Sequence, residues 1–420
     1  MLIHSCSQLV TLTANPQRGG QLGELNIIPD GAVLIEGGTI LETGPSQEML
    51  NRFPREEKLD AGGRAVIPGL VDAHTHLVWA GDRAAEFEMR LSGRTYMEIM
   101  AAGGGIQSTV NATRAATRTD LLTQTRQRAS TIFLMGTTSA EAKTGYGLSL
   151  EDELKLLEVL LLLDKDGPLE IFPTFFGAHA IPEEFKEEPD AYVGLVCEKM
   201  LPAVKSLWQI KGEGRPLPFV DVFCEQGAFS LSQSRLILEK AGQMGFPLKI
   251  HADEFENLGG ASMAASLGAI SADHLVKISP QDMRALASSN TVAVSLPCTP
   301  FGLGVSEYSP AQELIKAGAL FALASDLNPG TAWCGNLQFT MALACRMMKL
   351  TPAQALAAAT INASAAINQS ARLGSLHPGK QADLLILSVS DYRHLAYRFG
   401  VNLVDIVIKK GRVYPHLPSC

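Results

Sequence analysis

Eight short apolar runs, each leading into a polar loop and most followed by a helical pattern, constrain this chain more than any other feature. They span 65–74, 136–143, 169–179, 219–225, 247–252, 269–274, 291–296 and 320–326. Helix-period stretches separate them, among them 150–163, 232–245 and 280–287. A continuously apolar strand is buried on both faces, as in a parallel sheet covered by helices. Eight strand–helix units in one chain predict a closed α/β fold, a (β/α)₈ TIM barrel, rather than an open doubly wound sheet.

The two ends of the chain read differently. Turn punctuation recurs at Gly19-Gly20, Pro29-Asp30-Gly31 and Gly37-Gly38, between short apolar runs such as Ala32-Val33-Leu34-Ile35. The same texture returns in Ala382-Asp383-Leu384-Leu385-Ile386-Leu387 and Asp405-Ile406-Val407-Ile408. Residues 1–64 and 375–420 are therefore expected to build one small β-sandwich domain beside a barrel at 65–374. The 420 residues suit a barrel of roughly 250–300 residues plus such a domain.

Several function classes are disfavoured. Acidic residues outnumber basic ones 43 to 35, a net charge of −8. There is no basic run, so no nucleic-acid partner is expected. No segment reaches the roughly 18 uncharged apolar residues of a membrane span; the longest candidate, 154–163, is broken by Lys155 and Glu158. The opening MLIHSCSQLV lacks the basic start and long apolar run of a signal peptide. Seven scattered cysteines without a Cys-x-x-Cys pair argue for a reducing, cytoplasmic setting. Gly103-Gly104-Gly105 follows a helical stretch and lacks the context of a phosphate loop.

Barrel enzymes carry their chemistry at the C-terminal ends of the strands. Five of the nine histidines, His74, His76, His179, His251 and His274, fall at or just past predicted strand ends. In His74-Thr75-His76, period-two geometry sets both imidazoles on one side of an extended segment, where they can share a metal ion. By itself a His-x-His is weak, because ordinary surface or core histidines produce it as well. Its setting, Ile67-Pro68-Gly69-Leu70-Val71-Asp72-Ala73-His74-Thr75-His76, is more specific.

That segment resembles the first-strand signature of the amidohydrolase superfamily. Leu376-His377-Pro378-Gly379-Lys380-Gln381-Ala382-Asp383-Leu384 is similar to its closing motif. The likeness covers nearly the whole chain. Four further segments carry it: Glu141-Ala142-Lys143-Thr144-Gly145-Tyr146-Gly147, Phe176-Gly177-Ala178-His179, His251-Ala252-Asp253-Glu254 and Ser325-Asp326-Leu327-Asn328-Pro329-Gly330-Thr331. They resemble the branch that opens the lactam ring of 4-imidazolone-5-propanoate, giving N-formimidoyl-L-glutamate in histidine degradation.

The resemblance makes His251 and Asp326 the third and fourth metal ligands beside His74 and His76. Such a set suits one Zn²⁺ or Fe ion per subunit, with Mn²⁺ also open. Some relatives bridge two metals with a carboxylated lysine on the fourth strand. Here that strand reads Val220-Asp221-Val222-Phe223-Cys224-Glu225, without lysine, so a single metal is expected. Lys143 is a rival bridge on the second strand. Cys224 is a soft donor in principle, and a small barrel-filling residue otherwise.

Lactam hydrolysis needs an activated water and a proton carrier. Asp326 is the candidate shuttle. His274 could polarise the carbonyl or steady the nucleophile, and Glu254 could bond a ring nitrogen or the water. The resemblance assigns the substrate's propionate to Arg83, whose guanidinium fork suits a carboxylate. It assigns further substrate contacts to Tyr146 and His179. Tyr96 is either a contact or a packing residue. Asn328, Gly330 and Thr331, with polar side chains and backbone N–H groups, suit the amino-acid end of the product. The family suggests a homodimer with a small-molecule substrate. Two other readings use the same frame: a deaminase of a heterocyclic base, and a non-catalytic assembly protein, which would be expected to have lost metal ligands.

Overall fold

The computed structural model describes residues 1–94, 98 and 104–415. Eight parallel strands form the central sheet: β1 (Leu70–Asp72), β2 (Thr137–Lys143), β3 (Glu170–Ala178), β4 (Phe219–Cys224), β5 (Lys249–Ala252), β6 (Ser271–His274), β7 (Val292–Ser295) and β8 (Leu320–Leu323). They pair in sequence order from β1 to β8. The ring closes just past the strand ends, where Thr75 and Leu327 form a parallel bridge. There the Asp326 N–H donates to the His74 carbonyl at 3.0 Å and the His76 N–H to that of Leu327 at 2.9 Å. Below this, the Asp72 carboxylate accepts from the Ser325 N–H at 3.0 Å, tying the two strands again.

The helices form for local reasons. In the helix Leu150–Asp166, Ser149 caps the Asp152 N–H, and Glu151, Asp152 and Glu153 fill the first turn. Those acids complement the helix dipole. Leu156, Leu157, Leu160 and Leu163 give it one buried stripe. The expected helix at 280–287 is found as Pro280–Ala287, with Pro280 in its first turn and Ser279 as its cap.

Both termini build the small β domain. Among the described residues its mixed sheet has eight strands, seven joined edge to edge and the short Lys58–Asp60 paired off that path with Leu2–Val10. Alternation along Leu2–Val10 sends Ile3 and Leu9 into one apolar cluster and Leu2 into another, beneath Met49. The predicted run at 65–74 splits here. Val66–Pro68 pairs with Leu384–Leu387 in the terminal sheet, whereas Leu70–Asp72 opens the barrel. Gly69 stands at the split, where a Cβ would lie 2.3 Å from Thr138 Oγ1. Among the described residues no helix is long and apolar enough to cross a membrane.

Candidate active site

The strand exits bring the histidines together. His74 and His76 follow β1, and Thr75 between them is pinned: its N–H donates to Glu141 Oε2 at 3.2 Å and its hydroxyl to the Glu141 carbonyl at 2.7 Å. His251 lies within β5 and His274 ends β6. Asp326 sits beyond β8, held by its bond to the His74 carbonyl. Asp253, His274 and Asp326 have φ of 55°, 80° and 55°. Left-handed backbone costs a residue with a Cβ on the order of 1 kcal/mol or more. At these three positions it turns the chain where the strands open into the barrel mouth.

The donor atoms fit a metal ion. His74 Nδ1 lies 2.7 Å from Asp273 Oδ2. A carboxylate accepts, so that nitrogen carries the proton and Nε2 presents a lone pair. His251 Nδ1 stands 3.1 Å from Asp221 Oδ2, a charge-pair contact. Among the described residues His74 Nε2 has no hydrogen-bond partner, and neither does Asp326 Oδ1, 3.4 Å away. His76 Nε2 is 3.3 Å from the same oxygen and 3.5 Å from His251 Nε2. Buried acceptors facing one another without donors are unfavourable, and a cation relieves them. His74, His76 and Asp326 form one cluster with donor atoms within 4.8 Å, and His74, His251 and His274 form another. Imidazoles with one carboxylate suit a divalent metal of the zinc or iron kind.

Lys143 is already committed. Its Nζ donates to Glu141 Oε1 and to Asp221 Oδ2, both at 2.7 Å. Cys224 is buried against Gly260. Burial pushes its thiol up to about 11, the direction opposite to that of a ligand thiolate.

Above the cluster lies a cavity of about 550 Å³. His76, His251, His274, Asp326 and Glu254 face it from the side of the donor cluster. Arg83, Tyr146, His179, Asn328, Gly330 and Thr331 also line it. Tyr96 lies outside the described residues.

Electrostatics separate the roles. Burial opposes ionisation of Asp326, but the adjoining His74, His76 and His274 imidazoles outweigh it and hold the carboxyl well below the usual range. Burial, reinforced by the charge of Asp326, pushes Glu254 well above that range. Burial lowers His274 to about 4 and His179 to about 3, so both are neutral at pH 7. The Nδ1–H of His179 donates to the Gly145 carbonyl at 2.9 Å, which leaves Nε2 as an acceptor. Glu254 Oε1 stands 3.6 Å from His274 Nδ1.

Arg83 is buttressed. Its Nε lies 2.9 Å from both Glu86 oxygens, and Nη2 donates to Glu86 Oε2 at 2.6 Å. The opposite edge faces Gly330, where a Cβ would sit 2.4 Å from Nη1. The 328–331 loop differs from the sequence expectation in one respect. The N–H groups of Gly330 and Thr331 both donate to Asn328 Oδ1 at 2.8 Å, so they shape the wall instead of standing free. The turn needs them because the Asn328 amide closes it, donating in turn to the Asp326 carbonyl at 2.7 Å.

Sequence reasoning missed the supporting residues. Thr299 donates to Asp326 Oδ2, steering Oδ1 toward the histidines. Asp221, Asp273 and Glu86 orient His251, His74 and Arg83. Glu153 accepts from the N–H groups of Gly145, Gly147 and Leu148, and so holds the loop of Tyr146. For Asp221 and Asp273 a signal was present: carboxylates inside strands expected to be fully buried require partners.

Known proteins extend this picture. The amidohydrolase family model matches residues 65–414. An imidazolonepropionase of Herpetosiphon aurantiacus is 51% identical over 412 residues, 98% of this chain and 96% of its own. One from Chloroflexus aggregans is 49% identical, covering 98% of each. Among solved structures, an adenosine deaminase from Xanthomonas campestris with bound zinc superimposes with a TM-score of 0.72 at 18% identity, over 98% of this chain and 92% of the other. That likeness speaks for the fold alone. A single family model running through barrel and closing strand, with relatives of this identity along almost the whole length, places the chain in the amidohydrolase family, among its imidazolonepropionases.

Proposed function

We propose that this chain hydrolyses 4-imidazolone-5-propanoate to N-formimidoyl-L-glutamate. The observation that carries the reading is one cavity with a convergent His/Asp donor set on one wall and a buttressed arginine on another. The names of the relatives agree with it. We assign one metal ion per subunit, Zn²⁺ or Fe, to His74, His76, His251 and Asp326. Once bound, such an ion polarises the substrate carbonyl and lowers the pKa of a water to near 7.

The chain's own residues do the rest. Arg83 grips the propionate through the edge of its guanidinium not held by Glu86. Tyr146 and His179 flank the ring, and His179 Nε2 accepts from a ring N–H. Glu254, whose burial favours the neutral acid, bonds the ring or its carbonyl, and neutral His274 orients the attacking water. The Asp326 carboxylate takes one proton from that water and returns it to the leaving nitrogen as the C–N bond breaks. Oxygen adds to the carbonyl carbon and the proton ends on nitrogen, so the step balances as hydrolysis. A homodimer in the cytoplasm is the expected state, and light scattering on the purified protein tests the dimer.

Turnover of a substrate panel tests the reaction. The reading expects imidazolone propanoate to be consumed and cytosine and guanine to be left intact. Deamination of either base, with imidazolone propanoate untouched, would replace it with the deaminase reading.

A further inference from the structure

Beneath the donor cluster lies a layer of fully buried charge. Glu141, Lys143, Asp221, Lys249 and Asp273 all come from barrel strands, and each is 0–1% exposed. Its connections run upward to the histidines. Lys143 Nζ donates to Asp221 Oδ2 at 2.7 Å, and that oxygen stands 3.1 Å from His251 Nδ1. The same Nζ donates to Glu141 Oε1 at 2.7 Å. The Glu141 carboxylate in turn accepts the N–H of Thr75, between His74 and His76, at 3.2 Å. Lys143 also lies 3.9 Å from Asp273 Oδ2, the oxygen that meets His74 Nδ1. Lys249 supports that carboxylate from the other side at 3.7 Å and donates to the Ala73 carbonyl at 3.2 Å. One ammonium group is thus joined, through three carboxylates, to the supports of His74, His76 and His251.

We infer that Lys143 is a positioning residue for the metal centre: it holds Asp221, Glu141 and Asp273 in the places from which they aim the ligand histidines. Two of its carboxylates share Nζ at 2.7 Å each. Without the cation, they and Asp273 repel one another in a site that water does not reach. Asp221 then leaves His251 Nδ1, and the ring loses its fixed direction. Outer partners of this kind are worth about 10–100-fold in metal affinity.

Simple charge predicts the opposite. Removing a positive group near a cation site strengthens the attraction for the cation. The sign of the change therefore separates positioning from a mere filling of charge or space. The test is the apparent Kd for Zn²⁺ of the full-length protein, measured by competition with a chromogenic chelator. Folding is checked by circular dichroism. Lys143→Met is expected to bind Zn²⁺ about 10–100-fold more weakly, and Asp221→Asn to lose a similar factor. The double variant should lose less than the product of the two single factors, because both act in part through His251; fully multiplicative losses overturn the inference. Unchanged or tighter binding in folded Lys143→Met overturns the inference. If Lys143→Met does not fold, Asp221→Asn decides: wild-type affinity there overturns it, and the expected loss supports it. The readout needs no substrate, so it stands apart from the proposed reaction.

Discussion

Replacing Arg83 by Met probes the proposed substrate most sharply. The guanidinium has its Nε and Nη2 engaged by Glu86 at 2.6–2.9 Å, so a ligand carboxylate meets the remaining edge. Two charge-assisted hydrogen bonds there contribute about 1.5 kcal/mol each. Their loss, about 3 kcal/mol, corresponds to roughly 10²-fold in kcat/KM. A grip made equally in ground and transition states appears mainly in KM. The substitution also strands Glu86, whose Oε1 accepts the Gly105 N–H at 2.8 Å. The double variant Arg83→Met/Glu86→Gln removes that unpaired charge and should not restore KM. Arg83→Lys keeps the charge, loses the fork and should fall between. The assay is steady-state absorbance of imidazolone propanoate with metal-saturated protein. If Arg83→Met stays within 3-fold of wild type, the carboxylate grip is wrong.

Other consequences follow from the same geometry. Gly330→Ala puts a Cβ 2.4 Å from Arg83 Nη1, and should raise KM about 10-fold while leaving Zn²⁺ content unchanged by atomic absorption. Asp326→Asn should lose most of kcat; near-normal turnover with metal retained excludes the shuttle role. Burial would raise the pKa of Glu170, but Lys409 and Arg372 reverse this and hold it at about 2. A depressed carboxyl stabilises the fold above its unfolded pKa and loses that contribution as pH falls toward the folded value. Glu170→Gln should therefore cost about 1–3 kcal/mol at pH 7, discounted for partial exposure. Denaturant melts should show that gap closing between pH 4.5 and 2.

The barrel was legible in the sequence because eight short strand-like segments recur with helical patterns between them. The run at 65–74 was read as one strand, since periodicity cannot show that Gly69 passes against Thr138 and shifts the chain between sheets. His74 and His76 announced themselves by spacing. His251 and Asp326 could not, because they meet only when β5, β8 and β1 close the ring. The supports were hidden for the same reason. Asp273 is adjacent to His274 in the chain, yet it serves His74, 199 residues away. Asn328 shows the reverse case: a polar residue in a site loop whose amide folds the loop itself.

The central claim joins a metal-holding His/Asp set to the opening of one lactam. Purified protein stripped by chelator, then reloaded with Zn²⁺ or Fe²⁺, should be assayed on imidazolone propanoate with the product followed by NMR. Stoichiometric N-formimidoyl-glutamate is expected from the reloaded protein and none above background from the stripped protein. Equal product formation in both states, or none in the reloaded protein, would contradict the claim.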